Sequence, residues 1–121
     1  MARIMISDDS DAIRMVLRDA LEIGQHEVVA EAANGQEAVE QFQAVKPDLL
    51  LLDIAMPKKD GYTALSEIIA LEPTAKIIMI TATDSQKMIN DCVAVGAKAF
   101  IIKPFDFEDV LKAIDMVLDK H

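Results

Sequence analysis

The sequence predicts an α/β fold of five βα units, with a doubly wound parallel sheet carrying helices on both faces. Three observations predict it. Five short, uninterrupted apolar runs recur along the chain: Ile4-Met5-Ile6, Val28-Val29-Ala30, Leu49 to Leu52, Ile77 to Ile80 and Phe100-Ile101-Ile102. Runs without polar alternation suit strands buried on both faces. Each run is followed by a segment with apolar residues at helical spacing, and cap or turn residues mark the joints.

The first helix follows from Ile13, Leu17, Ala20 and Leu21, spaced i, i+4, i+7 and i+8. Asp8 or Ser10 can cap it, and Gly24 stands where its C-terminus would need a left-handed residue. After the second strand, Asn34-Gly35 is a turn signal leading to a helix through Ala38, Phe42 and Val45. Pro47 lies before the third strand, and Leu65, Ile68 and Ile69 mark the third helix. Pro73 precedes the fourth strand. Met88, Ile89, Cys92 and Val93 form the next helical face, closed by Gly96. Pro104 ends the fifth strand, and Asp106 can cap a last helix carrying Val110, Ile114, Val117 and Leu118. No repeat, low-complexity stretch or linker interrupts this order, so residues 1–121 are expected to be one domain, with no second domain appended.

Composition narrows the function. The chain has 121 residues, a formal net charge of −9 and 52% hydrophobic residues, which excludes a disordered chain. Its longest charge-free run is 77–83, far short of the ~20 residues that span a bilayer. The N-terminus carries one Arg and then an aspartate cluster, unlike a secretion signal. Net negative charge disfavours nucleic-acid phosphates. One cysteine excludes an internal disulfide and suits a reducing compartment. The expectation is a soluble cytoplasmic protein with no membrane and no direct nucleic-acid partner. Cys92 and the seven Met, Met15 less clearly than the others, read as packing residues, whereas His26 and His121 read as solvated.

In such sheets, function collects at the C-terminal strand ends. Here those ends offer Asp8-Asp9, Asp53, Thr81 and Lys103. One aspartate there could be a helix cap, but four strand ends with compatible groups point to a site. Three converging carboxylates need a cation, and oxygen-only ligands favour Mg²⁺. A lysine among them suits a phosphoryl group, and a carboxylate can itself be the nucleophile, giving an aspartyl phosphate.

Taken together, these residues resemble a two-component response regulator receiver domain. Asp8-Asp9 with Arg14, Leu49 to Asp53, Met56-Pro57, Asp60-Gly61, Thr81-Ala82, Gly96-Ala97, Phe100 and Lys103-Pro104-Phe105 carry the resemblance over essentially the whole chain. It implies a flavodoxin-like sheet of strand order 2-1-3-4-5. Asp53 would be the phosphoacceptor. Asp9, Asp53 and the Ala55 backbone carbonyl would bind Mg²⁺ directly, with Asp8 acting through a metal-bound water. Lys103 would pair with a phosphoryl oxygen and Thr81 would hydrogen-bond to the phosphoryl group. Phe100 would be the aromatic switch, and the Lys103-Pro104 bond would be cis. Ala55 and Thr83 occupy the positions that tune dephosphorylation. Neither is acidic or an amide, so the phosphoryl lifetime is expected to be set by partners. Ser7 stands where the family usually has a hydrophobic residue.

The expected output is binding, not turnover: no enzyme beyond its own phosphorylation and dephosphorylation. The segment from Pro73 to Phe105 is similar to chemotaxis response regulators. The implied partners are a sensor histidine kinase and a motor or adaptor target, met through the helix-four, strand-five, helix-five face. A phosphatase is a further possible partner, and the chain is expected to be a monomer. A phosphorelay intermediate passing its phosphoryl group to a phosphotransfer histidine is the alternative. A flavodoxin-like FMN carrier would need a glycine- and hydroxyl-rich loop where Ser7-Asp8-Asp9-Ser10-Asp11 stands. A Mg²⁺-dependent aspartyl phosphatase would need an acid in place of Ala55.

Overall fold

The structure, a computed structural model, describes residues 2–82 and 86–118. Five strands alternate with five helices: β1 (Arg3–Ser7), α1 (Asp11–Ile23), β2 (Glu27–Ala32), α2 (Gly35–Val45), β3 (Leu49–Asp53), α3 (Gly61–Leu71), β4 (Ile77–Thr81), α4 (Gln86–Val95), β5 (Ala99–Ile102) and α5 (Phe107–Leu118). The strands form one parallel sheet in the order β2-β1-β3-β4-β5, as expected. Because strand side chains alternate between faces, the sheet divides the core in two. Met5, Leu50, Leu52, Ile77 and Met79 pack with α2, α3 and α4 residues on one side. Ile4, Ile6, Leu49, Leu51, Ile78 and Ile80 pack with α1 and α5 residues on the other.

Burial on both faces holds for β3 and β4, but not for all five strands. β2 and β5 are the sheet edges, and most of their residues are only partly covered. The α4 face also differs from its expected one: Val93 is 55% exposed, whereas Cys92 is buried and Val95 packs against the core. The Met residues divide as well. Met5, Met56 and Met79 are core, while Met15 and Met116 face solvent.

Local caps hold the joints. Ser10, rather than Asp8, caps α1 by accepting from the Ile13 N–H at 3.2 Å. Asn34 caps α2, and Asp60 caps α3. Asp106 accepts from the Asp109 N–H while Asp109 accepts from the Asp106 N–H, a reciprocal box at the start of α5. Gly96 has a positive φ of 142°, but Gly24 does not; at the end of α1 the left-handed residue is Gln25, at φ 62°. The Lys103-Pro104 bond is cis. His26 is not simply solvated: its Nδ1 accepts from the Ala2 N–H at 3.2 Å, and burial holds its pKa below the usual value.

Ser7 ends β1 fully buried, and its hydroxyl finds no hydrogen-bond partner among the described residues. An orphaned buried hydroxyl costs about 1–3 kcal/mol. Ser7→Ala is therefore expected to raise stability by up to about 1 kcal/mol, read as the urea midpoint at unchanged slope.

Candidate functional site

The strand order brings the C-terminal ends of β1, β3, β4 and β5 to one rim. Asp8 follows β1 directly and is anchored by its N–H to the Ala32 carbonyl at 3.0 Å. Its Oδ1 accepts from the Ser10 N–H at 2.9 Å, so the turn into α1 fixes the carboxylate. Asp53 is the last residue of β3 and 2% exposed. The loop after it is tied back by the Gly61 N–H, which donates to the Ile54 carbonyl at 2.7 Å. Thr81 ends β4 and is buried; its carbonyl accepts from the Lys103 N–H at 2.7 Å. That bond sets where the lysine leaves β5.

These placements bring Asp8, Asp9 and Asp53 together, with one carboxylate oxygen from each lying within 4.8 Å of the other two. Asp9 is the exposed member. The Lys103 ammonium stands 3.4 Å from Asp8 Oδ2 and 3.4 Å from Asp53 Oδ1. Burial pushes the Asp53 pKa up to about 6, the Asp8 charge pushes in the same direction, and Lys103 and the Ala55 backbone N–H oppose it. At such separations two like charges repel by roughly 3 kcal/mol at an effective dielectric of about 20. One ammonium does not balance three carboxylates. Asp8 Oδ2 is also buried with no hydrogen-bond partner among the described residues. An all-oxygen donor set with surplus negative charge fits a hard divalent cation.

Ala55 is exposed at the start of the loop after β3. Phe100 is partly buried against the α2–α4 side of the core. Thr83, expected to tune dephosphorylation, and His121 lie outside the described residues. Cys92 is buried and burial pushes its thiol pKa up, in line with a packing role. Among the described residues, no helix is long and apolar enough to cross a membrane.

The role of Gly61 is a close approach that its sequence position alone did not reveal. A Cβ there would lie 2.1 Å from the Asp53 carbonyl oxygen and 2.6 Å from the Ile54 Cα. Both are backbone atoms, so Gly61→Ala must displace the end of β3. Overpacking of this kind costs about 1–3 kcal/mol. The variant is expected to lower the thermal midpoint and to slow any chemistry at Asp53, read by unfolding scans and by phosphorylation rate.

Comparison with known proteins agrees with this geometry. The model of the response regulator receiver domain matches residues 4–115. The chain is 47% identical to the chemotaxis protein CheY of Bacillus subtilis over 117 residues, covering 97% of this chain and 98% of that protein. It is 42% identical to CheY of Thermotoga maritima over 115 residues, covering 95% and 96% respectively. Among solved structures, it resembles the CheX-CheY-BeF3-Mg²⁺ complex from Borrelia burgdorferi at a TM-score of 0.95 and 36% identity, covering 98% of this chain and 90% of that one. With the matched residues running from β1 into α5 and the acidic rim in place at the strand ends, the chain belongs to the response regulator receiver domain family.

Proposed function

We propose that this chain is a phosphoacceptor response regulator whose Asp53 takes a phosphoryl group from a histidine kinase, and that it acts in chemotaxis or motility. One observation carries the chemical half: Asp53 is a buried carboxylate clustered with Asp8 and Asp9, and the Lys103 ammonium stands 3.4 Å from both Asp53 and Asp8. A bound Mg²⁺, held by Asp9, Asp53 and the Ala55 carbonyl, with Asp8 acting through a water, would offset the carboxylate charge and stabilise charge on phosphoryl oxygens. Asp53 attacks phosphorus in line. The new bond is an acyl phosphate, and the bond to the donor nitrogen breaks with its electron pair leaving on the donor. Lys103 pairs with an oxygen of the transferred group, and the Thr81 hydroxyl donates to another. Thr81 motion draws Phe100 inward, which alters the face made by α4, β5 and α5. That face carries exposed Ile102 and Met116 around an open cavity of about 430 Å³ lined also by Asp109 and Lys112, surroundings suited to a protein target. Turnover of a separate substrate is not part of this function, and the protein works as a cytoplasmic monomer.

The full-length likeness to chemotaxis proteins supports the motility half. A labelled chemotaxis histidine kinase is expected to pass its phosphoryl group to this chain faster than a labelled kinase from a transcriptional pathway does. Equal rates from both, or none from the first, would remove the chemotaxis assignment.

A further inference from the structure

We infer that Arg14 is a positioning residue for the cation-binding rim: it fixes the peptide that joins Asp8 to Asp9, and Glu31 on β2 holds it in place. This rests on the proposed cation site.

Arg14 lies in the first turn of α1, where the positive end of the helix dipole disfavours a cation. Its side chain is nevertheless only 15% exposed. Local acceptors account for that placement. One terminal nitrogen donates to the Asp8 carbonyl oxygen, and the other donates to the Asp11 carboxylate. The Nε lies 3.3 Å from Glu31 Oε1, and the same oxygen accepts from Arg18 at 2.6 Å. A carbonyl held by a half-buried guanidinium fixes its whole peptide plane, because the peptide bond is planar. The far end of that plane is the Asp9 backbone nitrogen. Asp9 is exposed, so packing does not orient its carboxylate; the backbone that bears it must. Asp8 needs no such help, since Ser10 and Lys103 already hold its side chain. The guanidinium fork reaches a carbonyl and two carboxylates at once, which a lysine ammonium matches in charge but not in geometry.

The sign of the effect separates positioning from simple electrostatics. Removing a positive charge near a cation site should tighten cation binding. Losing the orientation of a ligand should weaken it, by about tenfold for an outer partner of a metal ligand. The experiment is calorimetric titration of the whole chain and of Arg14→Ala and Arg14→Lys with MgCl₂ alone, with amide NMR spectra of the metal-free proteins. Expected are about tenfold weaker Mg²⁺ binding in Arg14→Ala, an intermediate loss in Arg14→Lys, and displaced Asp9 and Ser10 amide signals before metal is added. Should Arg14→Ala fail to fold, Arg14→Lys decides by the same two readouts. Unchanged or tighter binding in the folded variants would overturn the role of Arg14 and leave the proposed function standing. No Mg²⁺ binding by the parent chain would overturn both.

Discussion

With Asn in place of Asp53, the metal-free protein is expected to unfold at a higher urea concentration near pH 7.5 than the parent, as its phosphoacceptor is lost. The cause is the raised pKa of Asp53, about 6 in the folded protein against 3.8 in the unfolded reference. A tenfold change in proton affinity corresponds to about 1.4 kcal/mol, so keeping the buried carboxylate ionised costs on the order of 3 kcal/mol. The sign is opposite to that of a salt-bridged aspartate. Between pH 3.8 and about 6 the folded state binds the proton more tightly than the unfolded state does. Stability contributed by this group therefore falls as pH rises through that window, and the full cost is present above it. The asparagine variant has no such group. Its advantage over the parent, measured in chelator, should be largest near pH 7.5 and should shrink toward pH 4.5. Loss of the Lys103 attraction offsets part of the gain. An asparagine variant less stable than the parent at pH 7.5 would contradict the electrostatic account of the rim.

Replacing Lys103 by Met should do the reverse. The lysine is the one ammonium placed within 3.4 Å of both Asp8 and Asp53 among the described residues. Its side chain is 22% exposed, so the pair is only partly screened. Removing one partner of a buried pair leaves the other charge uncompensated, and about 2 kcal/mol is a reasonable loss for this partly covered lysine. The Asp53 pKa should rise further, because Lys103 does more than the Ala55 backbone N–H to hold it down. A preorganised cation beside developing phosphoryl charge is worth about 10²–10³ in rate. Lys103→Met is accordingly expected to slow phosphorylation by acetyl phosphate about a hundredfold at saturating Mg²⁺. Combining it with Asp53→Asn should recover much of the lost stability, since the two residues are directly coupled. Additive stability changes in the double variant would show that the pair does not interact as its geometry requires.

Much of this was legible in the sequence, for identifiable reasons. β3 and β4 were clear because a central parallel strand must be apolar on both faces, and Leu49 to Leu52 and Ile77 to Ile80 have no polar break. The site was legible because its residues fall at strand ends, so strand order alone brings Asp8, Asp53, Thr81 and Lys103 together. What escaped depends on three-dimensional proximity. Nothing in the run Ser7 to Asp11 shows that the guanidinium of Arg14 turns back to the Asp8 carbonyl and reaches Glu31 on another strand. A glycine is the usual left-handed residue at a helix end, which points to Gly24, whereas Gln25 takes that conformation here. On α4, Val93 and Val95 both satisfy helical spacing; only packing against the sheet selects Val95. The raised pKa of Asp53 likewise follows from its burial and from Asp8, and neither can be weighed without the fold.

The central claim, that Asp53 receives the phosphoryl group, is tested most directly by locating the acyl phosphate. The protein is incubated with acetyl phosphate and Mg²⁺, reduced with borohydride, which converts a phosphorylated aspartate to homoserine, and mapped by peptide mass spectrometry. The account predicts homoserine at position 53 alone, and none in a chelator-treated sample. Homoserine at Asp8 or Asp9, or phosphorylation that persists in Asp53→Asn, would contradict it.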